Sequence, residues 1–249
     1  MKKSNKFTIL IVGLFILVYY FLTTVYKILD PILFPQLSQL YAAFIESLPN
    51  LKVGIASSLK LLIPSMGLSI ILGVSIGLIV GWHKSLKEIL MPIIYALSPI
   101  PAPLYTPYAI MLFPTFWHSS VFIIFIGSFW SILNGTISGV NLIEKKYIEN
   151  AMCLEIRGIK LLRKIILPAA LPNILNGIRS GLNFSFVLLI IAEMFGAEGG
   201  LGYFIQYYAD FAQYDKVLVG IICMSFFIVI VMIIFDIFQK KLLIWKETL

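Results

Sequence analysis

The sequence predicts an all-α, polytopic membrane protein with six transmembrane helices and both termini in the cytoplasm. Three observations carry this. Of 249 residues, 60% are hydrophobic and only 12% charged, whereas soluble domains run nearer half apolar and a quarter charged. Charge-free runs of the length a helix needs to cross a bilayer recur along the chain. The basic residues stand in islands between those runs, and in a membrane protein such islands are topology signals. This composition excludes an ordinary cytosolic enzyme, a disordered chain and a nucleic-acid binder, despite a formal net charge of +7. Cys153 and Cys223 give neither a disulfide framework nor a metal-ligand cluster.

The first span, about 7–29, follows Met1-Lys2-Lys3-Ser4-Asn5-Lys6. A basic start before an apolar run also suits a signal peptide. This run is long for one and ends in Tyr26-Lys27 without a small-x-small cleavage site, so we read it as an uncleaved span. Residues 1–50 thus comprise the first span and an outer interfacial segment, and 51–246 the core. The second span, 61–82, carries Gly67, Gly73, Gly77 and Gly81, small residues that let helix backbones approach closely in lipid.

Between Glu88 and Glu144 the chain has no Asp, Glu, Lys or Arg. As one helix this stretch would be about 80 Å long, more than twice a bilayer, so it must cross twice, at about 89–113 and 119–141. The turn falls in 114–120, where Trp117 and His118 suit an interface. Pro92, Pro99, Pro101, Pro103, Pro107 and Pro114 crowd the first half. Proline removes a backbone hydrogen bond, and in lipid such breaks survive only where protein or a water-filled cavity satisfies the freed groups. The third span is therefore expected to be a broken helix facing the interior, with Pro101 and Pro103 as candidates for a passage.

The fifth span, 169–195, contains Arg179 and Glu193, and the sixth covers 217–238. The N-terminal tail, the 82–88 and 144–168 loops and the C-terminal tail hold fourteen Lys and Arg, against four (Lys27, Lys52, Lys60, Lys216) on the other side. The positive-inside rule places the first set in the cytoplasm. Outside lie 30–60, read as an interfacial helix leading into the second span, and 196–216, with a turn signal at Gly199-Gly200-Leu201-Gly202.

Residues 144–164 hold nine charged residues in twenty-one positions. On a helix, Lys146, Glu149, Arg157, Lys160 and Lys164 share one face, while Ile148, Met152, Ile159, Leu162 and Ile166 share another. Glu155 would fall among the apolar positions, and Gly158 weakens a helix by about 1 kcal/mol relative to Ala. We therefore expect a break near 155–158 between two short helices. Leu167-Pro168 is expected to stop the second, and Pro172 to open the fifth span.

Glu149-Asn150-Ala151, Gly158, Ile165-x-Leu167-Pro168 and Ala170-Leu171-Pro172 resemble the EAA loop of ABC importer permeases with the MetI-like fold. Asn150 departs from that pattern, and Glu155 stands where the family has Gly. Pro99-Ile100-Pro101, Gly177-Ile178-Arg179, Ala192-Glu193-Met194 and Gly199-Gly200-Leu201-Gly202-Tyr203 look like the branch importing nitrate, sulfonates, taurine or bicarbonate. The resemblance implies a transport subunit that is not itself an enzyme. Its coupling residues would be Glu149, Asn150, Ala151, Glu155, Arg157, Gly158, Leu167 and Pro168. The chain lacks a Gly-x-x-x-x-Gly-Lys-Ser/Thr phosphate loop, so ATP and Mg would be held by two copies of a separate ATP-binding subunit. A second permease copy, an extracytoplasmic solute-binding protein and a bacterial or archaeal cytoplasmic membrane complete the implied assembly. No nucleic acid is involved.

Intramembrane charge is costly and usually faces a bundle interior. Arg179 and Glu193 either line the path or gate it, with Arg179 attractive to an anion, or they reach opposite membrane surfaces. Asn183 is a candidate for the path. Asn183 and Ser185 also suit hydrogen bonds between helices. Tyr203, Tyr207, Tyr208, Phe211 and Tyr214 read as an interfacial belt or a contact for the binding protein. The alternative class is an ion-gradient-driven secondary transporter, which also uses broken helices but leaves the charged 144–164 loop without a purpose.

Overall fold

The computed structural model describes residues 2–244. Helix α1 (Lys2–Tyr20) continues as a π-helical turn, Phe21–Val25. The Tyr19 hydroxyl donates to the Pro35 carbonyl at 2.7 Å, tying the end of α1 to the segment before α2. Helix α2 (Leu37–Trp82) is 46 residues long with Pro49 and Pro64 inside it. The interfacial helix and lead-in expected for 30–60 are instead the first half of this single helix. At 1.5 Å per residue it is about 69 Å long, more than a hydrocarbon core accommodates, and its charged and amide residues Gln39, Glu46, Asn50, Lys52 and Lys60 all lie at or before Lys60, leaving 61–82 without any.

The third span is broken, as its prolines predict. Helix α3 (Lys84–Leu97) ends at Ser98, and after a 3-10 turn (Ala102–Tyr105) the chain resumes as α4 (Thr106–Leu112). The two halves meet at 86°. Pro99, Pro101 and Pro103 cannot donate backbone hydrogen bonds. The chain crosses this stretch on short-range bonds instead, Ile100 N–H to Leu97 O and Leu104 N–H to Pro101 O.

Helix α5 (Phe116–Asn141) starts earlier than the expected turn allowed, because Thr115 caps it through the His118 amide. Then follow α6 (Lys145–Cys153), α7 (Gly158–Leu161), a π-helical turn (Leu162–Ile166), α8 (Leu167–Gly196), α9 (Leu201–Asp210) and α10 (Tyr214–Leu242). Among the described residues four helical segments are long and apolar enough to cross a membrane, and a fifth if the bent pair counts as one; Leu10–Val25 is a shorter apolar helix.

Helix α5 is the centre of the bundle, packed between α2 and α8. Small residues set both contacts. A Cβ on Gly73, Gly77 or Gly81 would fall within 3 Å of Ile132, Thr136 and Val140 respectively, and one on Gly135 would sit 2.7 Å from the Gly177 Cα. Gly67 takes no part, with open space where its Cβ would be. Polar groups add direct bonds: Ser69 Oγ lies 2.7 Å from Ser128 Oγ and donates to Phe125 O at 3.0 Å. In lipid, close packing and such hydrogen bonds replace the hydrophobic drive available in water.

Candidate functional site

Three places hold the residues singled out in the sequence: the α6–α7 loop, the middle of α8 beside the broken span, and the C-terminal end of α8.

The loop is built on a tight helix ending. Helix α6 stops at Cys153, and Glu155 takes a left-handed backbone conformation, φ 57°. Its N–H bonds Met152 O at 3.0 Å, and the Ile156 N–H bonds Ala151 O at 2.9 Å. These two bonds make a Schellman ending, whose left-handed position usually belongs to Gly. Glu155 occupies it here, and Gly158, also left-handed at φ 58°, starts α7. The expected break is therefore present, but the expected second stop is not. Leu167-Pro168 does not end a helix: α7 passes through the π-helical turn directly into α8, with Pro168 in its first turn and Pro172 inside it. The π-helical turn directly before Pro168 already interrupts the regular hydrogen-bond ladder, so the missing proline N–H falls where the helix is locally widened.

Ala151, Leu161 and Ile166 anchor this loop in the core. Glu149, Asn150, Glu155, Arg157 and Gly158 are exposed, and with them stand Met152, Leu154 and Ile159. The predicted apolar face is thus divided, with Ile166 buried and Met152 and Ile159 bare. Glu144 pairs with Lys146 and raises the ammonium pKa through that hydrogen bond and charge.

On α8, Arg179 does not snorkel alone. Its Nη1 lies 2.7 Å from Asp236 Oδ1 on α10, and Nη2 donates to Oδ2 at 3.4 Å. Asp236 was not singled out from the sequence, and this partner was missed. One lone acid and one lone base on adjacent spans was the available signal. Ser185 is buried and bonds Leu182 O within its own helix, so the expected interhelical bond is not made. Asn183 is exposed, one turn from Val187. Pro101 and Pro103 border a cavity of about 450 Å³ with Ser98, Trp130, Ser131, Phe184 and Val187.

Glu193 is elsewhere and fully buried. Its Oε2 accepts the Gly202 N–H at 2.7 Å, while Ser58 Oγ accepts that of Leu201 at 3.1 Å. It is enclosed by protein and does not pair with Arg179. Beside it a cavity of about 640 Å³ is bordered by Ser57, Lys60, Thr115, Trp117 and Glu198.

The charged loop thus leads into α8, whose Phe184 and Val187 border the proline break. The profile of the family described as "Binding-protein-dependent transport system inner membrane component" matches residues 69–244. The chain belongs to this family. It is a multi-pass membrane protein and a transport component. It is 33% identical over 177 residues to the putative aliphatic sulfonates transport permease of Bacillus subtilis (strain 168), covering 71% of this chain and 64% of that one. It is 28% identical to the taurine transport system permease of Escherichia coli (strain K12), covering 77% and 70%. A bicarbonate transport system permease of Synechococcus elongatus (strain ATCC 33912 / PCC 7942 / FACHB-805) is 33% identical, covering 60% and 54%. The matches span less than two thirds of the length of the sulfonate and bicarbonate relatives. The inward-facing MetNI methionine ABC transporter shares the fold, with a TM-score of 0.68 at 15% identity, covering 79% of this chain and 98% of that one.

Proposed function

We propose that this chain is the permease subunit of an ATP-driven importer, and that the exposed surface of the α6–α7 loop docks on a separate ATP-binding subunit. One observation carries this: Glu149, Asn150 and Arg157 stand exposed beside bare Met152, Leu154 and Ile159, on a loop whose chain runs without interruption into α8. Apolar side chains rimmed by charge suit a protein partner, and the continuous helix suits transmission of force. Glu149 and Arg157 supply charge-assisted hydrogen bonds to that partner. Two such subunits bind ATP and Mg and hydrolyse the nucleotide.

A second copy of this chain completes the path. Arg179, Asn183, Phe184 and Val187 form an exposed stripe on α8, and polar groups at membrane depth need protein or a water-filled passage beside them. The stripe adjoins the proline break at Pro101 and Pro103, so the path runs between the two copies there. Six spans, with α1 as the first, place both termini and the α6–α7 loop in the cytoplasm of a bacterial or archaeal cell. An extracytoplasmic binding protein docks on the outer end, near α9. The substrate class follows the relatives, a small anion such as a sulfonate, bicarbonate or nitrate. Arg179 is already paired with Asp236, so Lys60, which borders the outer cavity together with Glu198 and makes no ion pair among the described residues, is the better attractor.

The test is purification of the tagged chain in mild detergent. A stoichiometric ATP-binding subunit should come with it, and Glu149→Lys should abolish ATP-dependent uptake of the anion while the chain remains in the membrane. Uptake that collapses under a protonophore but persists without ATP would overturn the reading.

A further inference from the structure

The residues from Gly158 to Gly196 form one helical segment of 39 residues, roughly 58 Å from end to end. Its inner end is the α6–α7 loop, and its outer end carries Glu193. The two amides held by Glu193 and Ser58, those of Gly202 and Leu201, are the first two of α9, donors that a helix start leaves without partners of its own. The residue before α9 is Gly200, at φ 134°, which has no side chain to cap them. The space a Cβ would take is filled by the Glu193 carboxyl: such an atom would lie 2.3 Å from Glu193 Cδ. Gly202 is pressed against Glu193 in the same way, and Gly54 of α2 lets Gly200 approach.

A local Ser, Asn or Asp would cap α9 at far lower cost, because a fully buried carboxylate is expensive. The arrangement found does what a local cap does not, making the start of α9 depend on where α8 and α2 stand. We propose that Glu193 and Ser58 are positioning residues for transport, welding α9 to the outer end of α8 so that movement of the α6–α7 loop reaches the outer surface as a displacement of α9. This rests on the permease reading above.

The experiment uses the permease in nanodiscs with the ATP-binding subunit that co-purifies and the binding protein loaded with its anion. Glu193→Leu should lower the binding-protein-stimulated ATP hydrolysis about tenfold, within the range of ordinary coupling energies. Glu193→Gln, which keeps an acceptor oxygen of the same reach, should restore most of it. Ser58→Ala should lower it about threefold, the effect of one hydrogen bond, with unstimulated hydrolysis unchanged. Normal stimulation in Glu193→Leu, or a loss in Gln as deep as in Leu, overturns the proposal. If Glu193→Leu does not assemble, full stimulation in Ser58→Ala overturns it instead. Amide hydrogen exchange on the permease alone separates the two readings. Fast exchange at Leu201 and Gly202 in Glu193→Leu supports the weld even if no ATP-binding subunit is ever found, a result that would sink the permease reading and the coupling with it. Unchanged exchange removes the weld whatever the assembly.

Discussion

Glu155 holds a backbone conformation that favours Gly, and this explains a departure that the sequence leaves unresolved. The family pattern has Gly at this position, and the chain has Glu there with Gly158 three residues later. Both residues are left-handed, at φ 57° and 58°, so Glu155 takes the conformation that a Gly would take at that position. An L-residue pays about 1 kcal/mol or more for that conformation. Glu155→Gly should therefore stabilise the loop by about 1 kcal/mol, less the greater chain entropy of Gly when unfolded, read as slower hydrogen exchange across 154–157. The helix contacts are decided at the same scale. Gly135 and Gly177 bring α5 and α8 backbone to backbone, so Gly135→Val should cost about 1–3 kcal/mol in thermal unfolding in detergent. Gly67→Ala, with open space at its Cβ, should leave the midpoint where it is. Sequence alone grouped Gly67 with the other three, because spacing does not reveal which glycine meets a neighbour.

Among elements, α8 departs furthest from what its sequence suggests. Leu167-Pro168 and Pro172 read as a stop and a restart, yet the helix runs through both. The π-helical turn at 162–166 directly precedes the first proline and breaks the regular ladder where its N–H is missing. The broken third span was legible because five prolines in sixteen residues (Pro92, Pro99, Pro101, Pro103, Pro107) cannot all be absorbed in this way. The link between α8 and α10 had only a faint signal, one acid and one base 57 residues apart on successive spans, and nothing local ties the two together. With side chains 45% and 38% exposed, the pair depends on whatever covers it in the membrane. Asp236→Asn should leave an unbalanced cation at membrane depth and lower the yield of folded protein. Exchanging the two, Arg179→Asp with Asp236→Arg, should recover much of it. A double-mutant cycle on detergent unfolding checks the coupling, and additive losses would mean that the two charges act separately.

At the scale of the molecule, the helical class, the broken span and the amphipathic loop could all be read from charge spacing and proline positions. Such signals are local, and lipid enforces them strictly. What could not be read depends on which helix faces which: the length of α2, the partner of Arg179, and Glu193 as the cap of α9. Orientation rests on a count along the chain, fourteen basic residues against four. The chain's own cysteines test it. Cys153 is exposed at the end of α6, whereas Cys223 is half-buried within α10. A membrane-impermeant maleimide should leave Cys153 unmodified in right-side-out vesicles and label it in inside-out ones, with Cys223→Ser as background. Placing a cysteine at Tyr207 on α9, in a Cys153→Ser background, should give the opposite pattern. Labelling of Cys153 from outside would reverse every assignment of loop to side. The loop proposed to meet an ATP-binding subunit would then face away from the nucleotide, and the positive-inside count would have failed although the fold stood.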